Sequence, residues 1–253
     1  MSLRGRRSGR GEADQSARRR ALVAEVVILA VAIAVFAKVH ASVGLDGAVA
    51  TTNARHLQSV ERALHADVEP AANRWLVGHP ALAIAAVCFY RLYYLAFIGV
   101  VVWAWMRHRA TYIKVRQLLL AMAAIALLVY WAVPLSPPRF SLPGIVDVVT
   151  QHDIFPGSGE PTDRTTGPYS AMPSLHVGWS AWCSYTVWAA LRSTRPFLAW
   201  AAWLFPALMT LVVIGTGAHY ILDVVGTAVL LAISILATSL WRRLRARLHQ
   251  LPT

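Results

Sequence analysis

The chain has 253 residues, of which 57% are hydrophobic and only 14% charged, a balance that counts against an ordinary soluble domain and argues for a membrane protein. Its net charge of +12 suggests a nucleic-acid binder, but the arginines cluster beside apolar runs, where they set topology and meet anionic lipid headgroups, so no nucleic-acid partner is expected. Cys88 and Cys183 both sit inside apolar runs and read as inert thiols, not as a disulfide framework.

Residues 1–20 hold Arg4, Arg6, Arg7, Arg10, Arg18, Arg19 and Arg20 with almost no apolar content, and read as a disordered basic cytoplasmic tail. The first apolar run extends from Ala21 to about Val39. A signal peptide cleaved near Val39-His40-Ala41 is the rival reading; the length of the run and of its charged leader favours a retained span. From Ser42 to His79 the chain is amphipathic. Leu57, Val60, Leu64, Val68, Ala71 and Leu76 recur at roughly helical spacing with Glu61, Glu69 and other charges between them. This predicts one or two helices lying at the membrane interface, broken near Pro70; a soluble helical hairpin fits the pattern almost as well.

The second span runs from about Ala81 to Met106 and contains Arg91 among Tyr90, Tyr93 and Tyr94. Such a charge either faces the bundle interior or snorkels to the near surface. A basic loop (Arg107, Arg109, Lys114, Arg116) leads to a third span, about Leu118 to Val133. The connection from Pro134 to Met172 is long, polar and rich in Pro and Gly, which is typical of a functional loop. The fourth span, about Leu175 to Leu191, is followed by a tight loop with Arg192 and Arg195. The fifth covers Pro196 to Gly215, with a kink expected at Pro206, and the sixth His219 to Trp241. Residues 242–253 form a second basic tail. The expected fold is therefore an all-α membrane protein of six transmembrane helices with interfacial helices before the second span, and residues 21–241 form one catalytic domain. Most of the 24 basic residues fall in the two tails and in the loops after spans two and four. The positive-inside rule then places both termini in the cytoplasm and segments 42–79 and 134–172 outside.

Arg139, His176 and His219 all fall at the outward ends. His219 and Asp223 are four apart, so on a helix they share one face. The carboxylate can accept the Nδ1 proton and leave Nε2 with a free lone pair, which is the orienting half of a catalytic triad. The structural alternative is a pair that pins span six to a neighbour. Pro173-Ser174 opens the fourth helix, with Ser174 as its N-cap, and the helix start favours a bound anion. His176 is then placed to hand a proton to a leaving oxygen. Arg139 offers a planar fork for phosphate oxygens. Two histidines and an aspartate could also ligate zinc, but a metal-free phosphoryl-transfer site is the preferred reading.

These motifs resemble those of the type 2 phosphatidic acid phosphatase superfamily. Pro-Ser-Leu-His at 173–176 is similar to its second motif, His219-Tyr-Ile-Leu-Asp223 to its third, and Arg139 to the arginine of its first. Leu175, its Met172-Pro-Ser-Leu-His context and the region from Glu61 to Trp75 resemble the branch of inositol phosphorylceramide synthases and related inositol-phosphotransferases. The resemblance implies that His219 attacks phosphorus, Asp223 orients it and His176 protonates the leaving group. Ser174, Leu175 and Arg139 would hold phosphoryl oxygens, and no cofactor is implied. Two cations of the broad pattern are replaced here by Ala132 and Val213. The thinner set favours a phosphodiester donor and head-group transfer, unless Arg91 or Arg164 restores the charge. The implied partners are a membrane lipid substrate and a polyol or lipid alcohol acceptor; hydrolysis to a phosphatase product is the alternative. A non-enzymatic lipid-binding or transport protein is the reading from another class.

Overall fold

The computed structural model describes residues 3–154 and 169–248. Within them are eleven helices: α1 (Leu3–His40), α2 (Gly47–Ala63), α3 (Glu69–Val77), α4 (Pro80–Arg107), α5 (Arg109–Ala132), α6 (Pro138–Ser141), α7 (Val148–Gln151), α8 (Leu175–Leu191), α9 (Pro196–Ala201), α10 (Leu204–Gly215) and α11 (Ile221–Leu248). The described residues contain no strand, only an isolated bridge between Leu135 and Ser170.

Five segments are long and apolar enough to cross a membrane: Arg19–His40, Pro80–Arg107, Arg109–Ala132, Pro196–Gly215 and Ile221–Leu248. Many of their large apolar side chains are exposed, for example Leu95 at 66%, Trp131 at 72% and Phe197 at 81%. A water-soluble protein does not carry contiguous apolar surface on this scale, and the chain is an integral membrane protein. The fourth expected span corresponds to α8, which at 17 residues is at the short end for crossing a bilayer.

The chain divides into two units, Met1–Val39 and His40–Thr253. The first is essentially α1. Its helix begins at Leu3, so the backbone of the arginine-rich segment is helical where composition predicted disorder. Arg and Ala are good helix formers, and an apolar helix extends into such flanking sequence at low cost.

In the second unit α8 is the central element and packs against α4, α5, α9, α10 and α11. Its buried face is built from small residues, including Gly178, Ser180, Ala181 and Ser184, which let neighbouring backbones approach closely. The buried hydroxyls of Ser180, Ser184 and Thr186 are satisfied by the carbonyls one turn back, at 2.6, 3.1 and 2.8 Å. Trp182 is fully buried and donates from its indole to the Val115 carbonyl at 2.7 Å, tying α8 to α5.

Several boundaries differ from expectation. The basic stretch 109–116 is not a loop but the first two turns of α5, with His108 alone separating it from α4. The expected kink at Pro206 lies one turn earlier, between α9 and α10. Proline cannot donate to the carbonyl four residues back; that carbonyl, Ala202, accepts instead from the Phe205 amide at 3.1 Å and the Ser184 hydroxyl at 2.7 Å. In the amphipathic region the expected break near Pro70 is residues 64–68, where His65 has φ +53°, and Pro70 itself lies in the first turn of α3. The amphipathic pattern is broken at a few positions, although Leu76 is buried and Arg55, Arg62, Asp67 and Arg74 are exposed as expected. Val60 and Leu64 are exposed, while Glu61 and Glu69 are buried at 0% and 1% exposure. α2 packs on α6 and α11, and α3 on α4 and α10, and the two acids have partners there.

Candidate active site

The site is assembled where the ends of α10 and α5 meet the starts of α8 and α11. Helix α10 closes on Thr216, and the Gly217 and Ala218 amides reach back to the Ile214 and Val213 carbonyls, both at 3.0 Å. This is a Schellman closure with glycine in the left-handed position. Gly217 has φ +73°, and a Cβ there would meet Ile145 Cγ2 at 2.6 Å. Both the backbone angle and the space therefore require glycine two residues before His219. The Gly217 carbonyl accepts from the Arg139 amide at 2.9 Å, which joins the loop after α5 to this turn.

His219 precedes α11 and is not part of it; the helix starts at Ile221. The expected helical stacking of His219 on Asp223 is thus a contact made across a pre-helical turn. His219 Nδ1 lies 3.2 Å from Asp223 Oδ2 and 2.8 Å from the Ala171 carbonyl. Both partners are acceptors, so Nδ1 carries the hydrogen and Nε2 keeps its lone pair. Asp223 is fully buried, and its Oδ2 also accepts from the Tyr220 amide at 2.9 Å.

The next two amides are held by acids from other helices. The Ile221 amide donates to Glu69 Oε1 at 2.8 Å and the Leu222 amide to Glu61 Oε1 at 2.9 Å. Three successive free N–H groups at the start of α11 therefore each meet a buried carboxyl. That satisfies donors a helix start leaves open, and the positive end of the helix favours the acids. Burial pushes the Glu61 carboxyl up to about 8, and the neighbouring Glu69, Asp223 and Asp67 act in the same direction; Glu69 is raised as well, again chiefly by burial. Asn73 of α3 locks the same region, donating to the Gly215 and Val146 carbonyls and accepting from the Val146 amide, each at 2.9 Å.

His176 lies in the first turn of α8. Ser174 caps that helix, accepting from the Val177 amide at 3.4 Å, and is fully buried. The Leu175 side chain is partly buried and packs against the core beside α5 and α11. Tyr130 donates to the Pro173 carbonyl at 2.7 Å, and Thr227 of α11 to the Ser174 carbonyl at 3.1 Å. The His176 ring is stacked on Tyr90 at 4.0 Å and contacts Tyr93 at 4.9 Å. Its centroid is 6.2 Å from that of His219. The two imidazoles, from stretches over forty residues apart, thus face one small space.

The arginines are engaged by acids of the same loop. Arg139 Nε is 3.5 Å from Asp147 Oδ2. Arg91 is not snorkelling: its guanidinium grips Asp153 with two atoms, Nε at 3.1 Å from Oδ1, and lies 5.9 Å from the Tyr90 ring that carries His176. Arg164 lies outside the described residues.

Sequence reasoning placed His176, His219, Asp223, Ser174 and Arg139, and the structure brings all five to one end of the bundle. It assigned no role to the Ala171 carbonyl, Glu61, Glu69, Tyr90, Tyr93, Asn73, Asp147 or Asp153. The available signal was a pair of glutamates, Glu61 of α2 and Glu69 of α3, set among apolar residues at helical spacing, but nothing local indicates that they point inward.

The bundle thus holds an oriented histidine, a second histidine and two arginines at one end. The profile of the PAP2 superfamily matches residues 55–237, and the chain belongs to that family, which supports a phosphoesterase enzyme in general. Neither curated proteins nor solved structures gave a significant match.

Proposed function

We propose that this protein is a metal-independent lipid phosphotransferase that works through a phospho-histidine at the outer leaflet. Its six spans would comprise the five long apolar segments and α8, with both termini cytoplasmic. The observation that carries the proposal is the double hold on His219 Nδ1 by Ala171 and Asp223, which commits Nε2 to the role of nucleophile. Nε2 attacks phosphorus of a lipid phosphate ester. The P–N bond forms, the P–O bond to the leaving group breaks, and His176 protonates the departing oxygen. His176, now neutral, takes a proton from water or an alcohol, whose oxygen displaces His219 from phosphorus. The amides at the start of α8, Ser174 and Arg139 would hold the non-bridging oxygens.

Head-group transfer from a phosphodiester, of the phosphoinositol type, is preferred over phosphomonoester hydrolysis. Arg139 and Arg91 each already face a carboxylate, Asp147 and Asp153. Little uncompensated positive charge remains for a dianion, and a diester brings only one charge. The test is incubation with labelled lipid phosphates, with and without polyol acceptors. A new head-group ester formed only with the acceptor is the expected result. Release of free phosphate alone would make the protein a lipid phosphate phosphatase, and no turnover of any ester would leave a lipid-binding protein.

Arg91 supplies a second test. If it turns from Asp153 to the substrate, Arg91→Leu should raise KM by about tenfold or more with a smaller change in kcat, as expected for a lost charged contact. Unchanged kinetics would assign the Arg91–Asp153 pair to anchoring the loop.

A further inference from the structure

A cavity lies at the opposite end of the bundle from the histidines. It has a volume of about 360 Å³ and is enclosed by α5, α8 and α11. Each helix presents one face to it. Lys114 and Leu118 come from α5, Tyr185, Trp188 and Arg192 from α8, and Ile235 and Arg242 from α11. The positions repeat at three or four residues, so each set forms a continuous stripe. Along every stripe the apolar or aromatic members lie deeper in the bundle and the cation lies towards the helix end. The lining therefore combines mainly apolar and aromatic residues, with Thr111 and Thr238 among them, and three positive charges. No acidic side chain lines the cavity. The Arg192 guanidinium lies 4.7 Å over the Trp188 ring, a cation–π contact.

We propose that this cavity binds the headgroup phosphate of an anionic phospholipid, with the start of its acyl chains against Leu118, Tyr185 and Ile235. Free phosphate would be matched by the cations but not by the apolar lining. A zwitterionic lipid would bring a cation of its own among these three. A basic pocket between membrane helices has the composition such recognition requires. The basic segments 107–116, 192–195 and 242–247 contain no acidic residue, so the surrounding field also favours an anion. The site is remote from the histidines, since Arg192 lies about 24 Å along α8 from His176 at the helical rise. The proposal uses no catalytic assignment.

The test is thermal unfolding of the purified full chain in neutral detergent, titrated with phosphatidylglycerol, with phosphatidylcholine of the same acyl chains, or with inorganic phosphate. Saturable stabilisation by phosphatidylglycerol alone is expected. Replacing Lys114, Arg192 and Arg242 together by Gln should weaken that binding by about 10²-fold, at roughly 1 kcal/mol per cation. The same number of charges removed at the exposed Arg243, Arg245 and Arg247 should change it by less than about threefold. Should the first variant fail to fold, Arg192→Gln alone, at the exposed rim, should show a loss of about fivefold. Equal stabilisation by phosphatidylcholine, or the same shift with inorganic phosphate, would overturn the lipid assignment. Equal losses from the two triple variants would show diffuse surface attraction in place of a site.

Discussion

Substituting His219 by Ala should lower turnover of a lipid phosphate ester by about 10⁴-fold or more, the scale seen when a covalent nucleophile is removed, while the protein keeps its helical content and melting behaviour in detergent. Label from a phosphoryl-labelled donor should remain on the native chain after rapid acid-free quench and be absent from the variant. Asp223→Asn should be milder. The Ala171 carbonyl lies closer to Nδ1 than the carboxylate does, 2.8 against 3.2 Å, so the productive tautomer survives the loss of the charge. A loss of about 10²-fold is expected, well short of the penalty when a triad histidine loses its tautomer control. If Asp223→Asn were as damaging as His219→Ala, the carboxylate and not the carbonyl would be setting the ring. If His219→Ala kept near-normal turnover, the nucleophile would lie elsewhere.

The second large effect concerns Glu61. Its native carboxyl titrates at about 8 against an ordinary value of 4.5, so between these values the folded protein binds a proton that the unfolded chain has lost. Stability should therefore fall as pH rises from about 4.5 to about 8 and level off above that. Glu69, raised for the same reason, acts in the same direction. Melting temperatures of the purified chain between pH 5 and 9 check this. Glu61→Gln keeps an acceptor for the Leu222 amide and removes the titration, so the slope should flatten while the protein stays folded. Glu61→Leu leaves that buried amide unmatched and should cost about 1–3 kcal/mol at any pH. A pH slope identical in Glu61→Gln and the native protein would locate the titration elsewhere. The variants also probe function, since Glu61 and Glu69 hold the turn that carries His219 and Asp223. Glu61→Leu should lower kcat more than KM changes, because it loosens the nucleophile and not a substrate contact.

The membrane class, the extent of most helices and the candidate residues His176, His219 and Asp223 that the structure brings together were legible from the chain alone. Apolar runs long enough to span a bilayer leave few structural alternatives. A histidine four residues before an aspartate is a pattern read over a single turn, so its local geometry follows from spacing whether or not the helix has yet begun. Only the tertiary structure decided what surrounds them. The meeting of His176 with His219, the Ala171 carbonyl on Nδ1, the stacking of Tyr90 and the pairing of Arg91 with Asp153 all join segments far apart in the chain. The inward turn of Glu61 and Glu69 follows from the open amides of α11, over 150 residues away, which no local periodicity encodes. The break before Pro206 was displaced by a turn because a proline disturbs the carbonyl four residues back, and a serine on a neighbouring helix was there to receive it.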